Sequence, residues 1–183
     1  MSDAAQPAFE FGTNYFSLFS LPDVFEVDLS ALKSEYLKLQ QQCHPDKYVS
    51  KPEAEQHQAV KLTTYLNQAY DALKSPLKRA IYMLELRQVE FDLDSQIQAD
   101  TDFLMSQLVL REQLEAAHEA NDPFAELDQL LSQAERDYKA YQNEFVGVYA
   151  NEDWDAAIKS IHKMMFASKL IAEIRLKEEH LES

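Results

Sequence analysis

Apolar residues recur at steps of three and four over most of this chain, the spacing of one buried face of an α-helix. Leu29, Leu32, Tyr36, Leu39 and Cys43 form one such stripe, and Asp28 or Ser30 can cap its helix. Leu62, Leu66, Ala69 and Leu73, with Tyr70 alongside, form a second over about Glu53 to Leu73. A short apolar segment, Tyr15 to Phe19, precedes them and ends near Pro22, which reads as one short helix packed on the next two. Ser75-Pro76 reads as a cap followed by proline at the first helical position, opening a helix that carries Leu77, Ala80, Ile81 and Leu84.

The second half predicts three further helices. The first runs from about Thr101 to Ala120, with Asp100 as cap and Phe103, Leu110, Leu114 and Ala117 on one side. The next opens at Asp122-Pro123 and ends near Asn151. Its stripe is Phe124, Leu127, Leu131, Ala134, Tyr138, Tyr141, Phe145 and Val148, the seam of a helix in a bundle. The last runs from about Asp153 to Glu179. Ile158, Ile161, Met165 and Ala172 share one face of it, and Phe166, Leu170 and Ile174 form a second line. The pattern thus predicts an all-α protein: a helical module over 14–87, a polar and acidic linker over 88–99, and a three-helix bundle over 100–183. Residues 1–13 read as a flexible tail.

Between the first two long helices stands His44-Pro45-Asp46, followed at once by Lys47. Pro45 biases His44 toward an extended backbone, so the helix before it should stop at Cys43 or His44. Pro45 also lacks an amide hydrogen and has a nearly fixed φ. Asp46 is then displayed at a bend, where its carboxylate can meet a cationic partner. Lys33 and Lys38 lie away from the buried stripe. Without the bend they are ordinary solvated positions; beside it they make a modest basic patch.

The helix at 101–120 has more apolar positions than its core stripe needs. Leu104, Leu108 and Met105 turn progressively toward the opposite side, with Val109 beyond and Glu112 and Glu115 among them. Either a neighbouring helix covers them, or they form an exposed apolar cluster rimmed by carboxylates, a common form of binding site. The residues alone leave the two readings equally open. For Leu104, Met105, Leu108 and Phe166 the exposed patch is expected; for Leu170 and Ile174, burial.

Composition narrows the function. Only two glycines, Gly12 and Gly147, argue against phosphate-binding loops and dinucleotide fingerprints. The net charge is −15. Residues 1–87 hold nine Lys/Arg and eleven Asp/Glu, and residues 88–183 hold eight and 21. An acidic surface argues against nucleic acid as a partner. The single cysteine, Cys43, allows no internal disulfide. Cys43 next to His44 is the only support for a metal or redox site, and the other ligands are missing, so no metal and no cofactor are expected. No carboxylate pair stands out as catalytic, so no enzyme is expected. No signal peptide and no membrane-length apolar run are seen, and a cytoplasmic protein is expected.

A helix, a His-Pro-Asp bend and an antiparallel second helix resemble the J-domain family, co-chaperones of DnaK-class ATPases. Three segments narrow the resemblance: Tyr15 to Pro22, Phe103-Leu104-Met105-Ser106-Gln107-Leu108-Val109-Leu110-Arg111-Glu112, and Asn151 to Ala157. They are similar to the HscB-type co-chaperones of iron–sulfur cluster assembly, over a match running from about residue 14 to the end. The resemblance implies an N-terminal J-domain and a C-terminal three-helix bundle arranged as an L. It implies binding of the scaffold protein IscU, its delivery to the DnaK-class chaperone HscA, and stimulation of that chaperone's ATPase. Carried over by position, His44, Pro45, Asp46, Lys33, Lys38 and Lys47 would engage the chaperone. Leu104, Met105, Leu108, Val109, Glu112 and Phe166 would hold the scaffold. Val109 stands where family members can carry a glutamate, and Gln40, Gln41 and Gln42 thin the basic character before Cys43. The bend alone is equally compatible with a general J-domain co-chaperone that serves another client.

Overall fold

The computed structural model describes residues 12, 14–92 and 101–182. The expected tail apart from Gly12, residues 93–99 of the expected linker and the expected cap Asp100 lie outside them. Every described element is helical: α1 (Tyr15–Leu18), α2 (Leu29–Cys43), α3 (Glu53–Lys74), α4 (Pro76–Leu86), α5 (Thr101–Ala116), α6 (Pro123–Ala150) and α7 (Trp154–Glu182), with 3₁₀ turns at Pro45–Tyr48 and Ala117–Glu119. None of the described helices is long and apolar enough to cross a membrane. The chain divides into two compact units after Met83, inside α4.

In the first unit α2 and α3 pack against each other. Asp28 caps α2, its carboxylate accepting from the amides of Ser30 and Ala31 at 2.8 and 3.0 Å. That leaves Ser30 free of the capping role. Leu32 and Cys43 of α2 and Ala59, Leu62, Leu66, Ala69 and Leu73 of α3 are buried. Tyr36 and Leu39 are only half covered, and Leu29, expected in the same stripe, is exposed. Leu29 stands in the first turn of its helix. Periodicity assigns a face, but not how far along the helix its cover extends. Phe16 and Phe19 fill the space beside this hairpin. Tyr15 stacks on Tyr82 at 4.2 Å and donates its amide to the Tyr82 hydroxyl at 2.9 Å; burial pushes the Tyr82 phenol up to about 12. Ser75 caps α4 through the Lys78 amide, 3.4 Å away, with Pro76 in the first helical position.

Charge patterning gave no sign that Arg79 would be buried. Its Nε donates to the Leu73 carbonyl at 2.8 Å, and its guanidinium also donates to the Phe25 carbonyl while lying over the Phe25 ring. One side chain thereby ties the segment before α2 to the turn between α3 and α4.

In the second unit α6 and α7 form the main pair, and α5 lies against both. Asp122 caps α6 through the Ala125 amide at 3.1 Å, with Pro123 following; Asn151 ends the helix. Asp153 caps α7 through the Ala156 amide at 3.1 Å. α5 is shorter than expected, passing at Ala117 into a 3₁₀ turn that closes on an extended Ala120. Leu114, Ala117, Leu127, Leu130, Ala134, Leu170 and Ile174 make one core across the three helices. Phe124, expected in the seam, is exposed in the first turn of α6, as Leu29 is in α2.

The larger correction is in α7. Its buried positions are Ala157, Ser160, Ile161, His162, Met164, Ala167, Leu170 and Ile174. Ile158 and Met165 are half covered and Ala172 is exposed. Of the expected first stripe only Ile161 is buried, while Leu170 and Ile174 of the second line are. A helix apolar on two sides offers two stripes to its neighbours, and periodicity alone does not choose between them.

His162 is 5% exposed, and its Nε2 has no hydrogen-bond partner. Burial pushes the imidazole below its ordinary value of 6.5, opposed only in part by a hydrogen bond to the backbone of Asp92. The folded protein therefore resists a proton that the unfolded chain accepts. The resulting stabilisation is complete above about pH 6.5 and declines as the pH falls below it. Thermal denaturation between about pH 7.5 and about pH 5.5 should show the wild type losing more stability than His162→Leu, whose residue at that site does not titrate. Equal losses would remove His162 from the acid sensitivity.

Candidate functional site

The bend between α2 and α3 is built around what Pro45 withholds. A helix leaves its last carbonyls without intrahelical partners, and Pro45 has no N–H to offer them. His44 ends α2 with φ −58° and ψ 128°, the extended backbone expected before proline. The Asp46 amide turns instead to the His44 ring, donating to Nδ1 at 3.3 Å, and the Lys47 amide donates to the His44 carbonyl at 3.0 Å. In that contact Nδ1 is the acceptor.

Side chains meet the helix-end carbonyls. Thr63 of α3 donates its hydroxyl to the Cys43 carbonyl at 3.0 Å. Tyr48 donates to the Gln42 carbonyl at 3.4 Å, a longer and weaker contact. On the far side of the bend, Gln56 donates to the carbonyls of Val49 and Lys51 at 3.2 and 2.8 Å. Thr63 and Gln56 are seven residues apart and so share one face of α3. Sequence reasoning missed this support. The available signal was two polar residues at helical spacing beside the Ala59-Leu62-Leu66 stripe.

Of the expected chaperone-binding residues, His44, Asp46 and Lys47 are exposed at the bend and Pro45 is half covered, while Lys33 and Lys38 are exposed further back on α2. The Asp46 side chain is 86% exposed, its Oδ2 3.6 Å from His44 Nδ1. Lys47 follows it in the 3₁₀ turn. Lys38 pairs with Glu35 at 2.5 Å, an exposed i,i+3 pair that adds little stability. Lys33 and Lys38, five residues apart, point from different faces of α2. Cys43 is buried and reduced, its sulfur 3.7 Å from the Thr63 hydroxyl, which makes it a core residue. Among the described residues, no group of three His, Cys, Asp or Glu side chains is arranged to hold a metal ion.

α5 carries the second candidate site. Leu104, Met105, Leu108 and Val109 are 43, 56, 51 and 46% exposed, although all are apolar. At about 100° per residue, these four and Glu112 cover one side of the helix. Gln107, Leu114 and the half-covered Phe103 and Leu110 cover the opposite side, against the bundle. Glu112 lies at the angular centre of the outward face, with Leu104 and Leu108 to one side and Met105 and Val109 to the other. Arg111 and Glu115 border it, and all three charged residues are exposed. The extra apolar positions are therefore a surface patch.

Phe166 is placed differently. It is half-buried and meets the Phe103 ring edge-on at 5.7 Å, while Phe103 meets Tyr141 at 6.0 Å. Phe103 belongs to the inward side of α5, so Phe166 supports the helix from below and does not join the outward cluster. The structure brings together Leu104, Met105, Leu108, Val109 and Glu112, and leaves Phe166 behind them.

A helical hairpin with an exposed His-Pro-Asp bend, followed in the chain by a separate three-helix unit, defines a J-domain protein with an appended bundle. Residues 14–82 match the DnaJ domain family. Residues 99–175 match the family described as the HSCB C-terminal oligomerisation domain. The co-chaperone protein HscB of Proteus mirabilis (strain HI4320) is 36% identical over 168 residues, covering 92% of this chain and 97% of that protein. The structure of chaperone HscB from Vibrio cholerae superposes with a TM-score of 0.84 at 37% identity, covering 92% of this chain and 99% of that one. The crystal structure of the human co-chaperone protein HscB gives a TM-score of 0.84 at 27% identity, over 93% of this chain and 84% of that one. The chain belongs to the HscB family of J-domain co-chaperones, a family of iron–sulfur cluster assembly.

Exposure separates patch from core in a measurable way. Replacing Leu104, Met105 and Leu108 each by Ala should change unfolding free energy by less than about 1 kcal/mol per site. Replacing the buried Leu114 should cost about 2–5 kcal/mol. Denaturant titration of the four variants reads this directly. A core-sized loss at any of the three patch positions would contradict its assignment to the surface.

Proposed function

We propose that the protein binds the iron–sulfur cluster scaffold IscU through the outward face of α5, presents it to the DnaK-class chaperone HscA, and stimulates ATP hydrolysis by that chaperone through the His-Pro-Asp bend. The observation that carries this reading is one chain with two exposed sites of different chemistry. One is a charged bend supported by α3, and the other is an apolar face with a carboxylate at its C-terminal end.

Asp46 pairs with an arginine of the chaperone, and Lys33, Lys38 and Lys47 supply attraction to acidic groups around it. The protein performs no chemistry itself. Stimulation arises because Asp46 and its neighbours bind the hydrolysis-competent state of the chaperone better than the other state; without that difference, binding would shift nothing. Leu104, Met105, Leu108 and Val109 bury apolar surface against the scaffold, and Glu112 meets a cation there. Phe166 acts through Phe103, holding α5 in place. Carrying both partners on one chain raises the concentration of each near the other.

Steady-state ATP hydrolysis by HscA, with this protein and IscU added singly and together, tests both sites. The expected result is stimulation by this protein, enhanced by IscU. Asp46→Asn removes a charge from an exposed position. It should abolish stimulation and leave thermal stability and IscU affinity unchanged. Combined Ala replacements at Leu104, Met105 and Leu108 should weaken IscU binding at least tenfold, in proportion to the apolar area lost. Stimulation indifferent to IscU would keep the J-domain role and exclude the scaffold assignment. Retained stimulation by Asp46→Asn would exclude the bend.

A further inference from the structure

We infer that Thr63 and Gln56 of α3 are positioning residues for the His-Pro-Asp bend, acting on the chaperone through the backbone they hold. The inference rests on the reading of Asp46 as the chaperone contact. Pro45 offers no N–H, the Asp46 amide is taken by the His44 ring, and the Lys47 amide is taken by the His44 carbonyl. The Cys43 carbonyl then receives the Thr63 hydroxyl at 3.0 Å. Beyond Asp46, the Val49 and Lys51 carbonyls both receive the Gln56 amide, at 3.2 and 2.8 Å. The two clamps come from one face of one helix and bracket Asp46 in the chain. The Asp46 side chain itself is 86% exposed. Its direction is therefore set by its backbone, and that backbone is held from α3.

Loss of a clamp lowers the fraction of molecules whose bend fits the chaperone. Apparent affinity falls by that fraction, and the bound complex is unchanged. Thr63→Val keeps the shape and removes the hydroxyl. It should raise the concentration for half-maximal ATPase stimulation about fivefold, the ratio that one lost hydrogen bond gives. The plateau at saturation should match the wild type. Thr63→Ser restores the hydroxyl and should restore the wild-type concentration. Gln56→Met, at a half-exposed helix position, should raise the same concentration with no change in melting temperature. It carries the test if Thr63→Val fails to fold.

Asp46→Asn is measured in parallel. If it is inert while Thr63→Val and Gln56→Met behave as wild type, the positioning role is overturned and the Asp46 contact stands. If Thr63→Ser is as weak as Thr63→Val, the hydroxyl is not the cause, and the role of Thr63 is overturned. If Asp46→Asn still stimulates, the contact itself falls, and the positioning role falls with it.

Discussion

One missing hydrogen determines most of what happens at the bend. Proline at position 45 has no amide N–H and a fixed φ, so α2 must end at Cys43 with carbonyls that the local backbone cannot satisfy. Had the helix continued, those carbonyls would have been paired within it, and Asp46 would have been one more solvated carboxylate. The break forces a search for donors: Thr63 of α3 meets the Cys43 carbonyl and Tyr48 the Gln42 carbonyl, while Gln56 of α3 holds the Val49 and Lys51 carbonyls beyond the bend. The cost of ending a helix is thereby turned into attachment of the bend to its neighbour. Asp46 stays outside this exchange, with its carboxylate in water and its backbone held.

That arrangement asks two things of α3. One face is wholly apolar and buried, through Ala59, Leu62, Leu66, Ala69 and Leu73. An adjoining strip is polar and points along the bend. A helix can do both because residues seven apart return to nearly the same angle while residues three and four apart hold the core. Rigidity in the core is what gives the polar strip its value. A hydroxyl on a loosely packed helix would hold nothing. Cys43 fits the same logic. It is buried beside Thr63, where its small sulfur lets the carbonyl approach the hydroxyl.

Helix positions, caps and the bend could be read from the sequence because they depend on near neighbours. Asp28 and Asp122 cap through amides two or three residues away, and proline acts on the residue beside it. The resemblance to the HscB family came from short segments read directly. What could not be read depended on the third dimension. Leu29 and Phe124 continue their stripes into first turns that no neighbour covers. On α7, apolar on two sides, the expected burial of Leu170 and Ile174 holds, but of Ile158, Ile161, Met165 and Ala172 only Ile161 is buried. Phe166 was expected in the outward cluster, and only the ring contact with Phe103 shows it beneath α5. Arg79 finds one carbonyl six residues back and another, that of Phe25, far along the chain, and no charge pattern marks either. Thr63 and Gln56 were visible as polar residues at helical spacing, but nothing short of the fold says which carbonyls they meet.

The outward face of α5 carries a physical demand on whatever covers it. Four apolar side chains, each near half exposed, favour association because burying them releases water. Glu112 follows them on the same side of the helix, about one turn beyond Leu108. Covering that face with an apolar surface alone would strip the carboxylate of water and leave it unpaired, a cost of several kcal/mol. A partner that covers Glu112 as well must therefore bring a cation to the end of an otherwise apolar contact. The surrounding excess of 21 acidic over eight basic residues in 88–183 favours the same kind of partner at longer range and speeds its approach. In such a contact apolar burial would supply most of the affinity and the carboxylate would disfavour surfaces that lack a cation, so a face built mainly of leucine, methionine and valine need not bind indiscriminately.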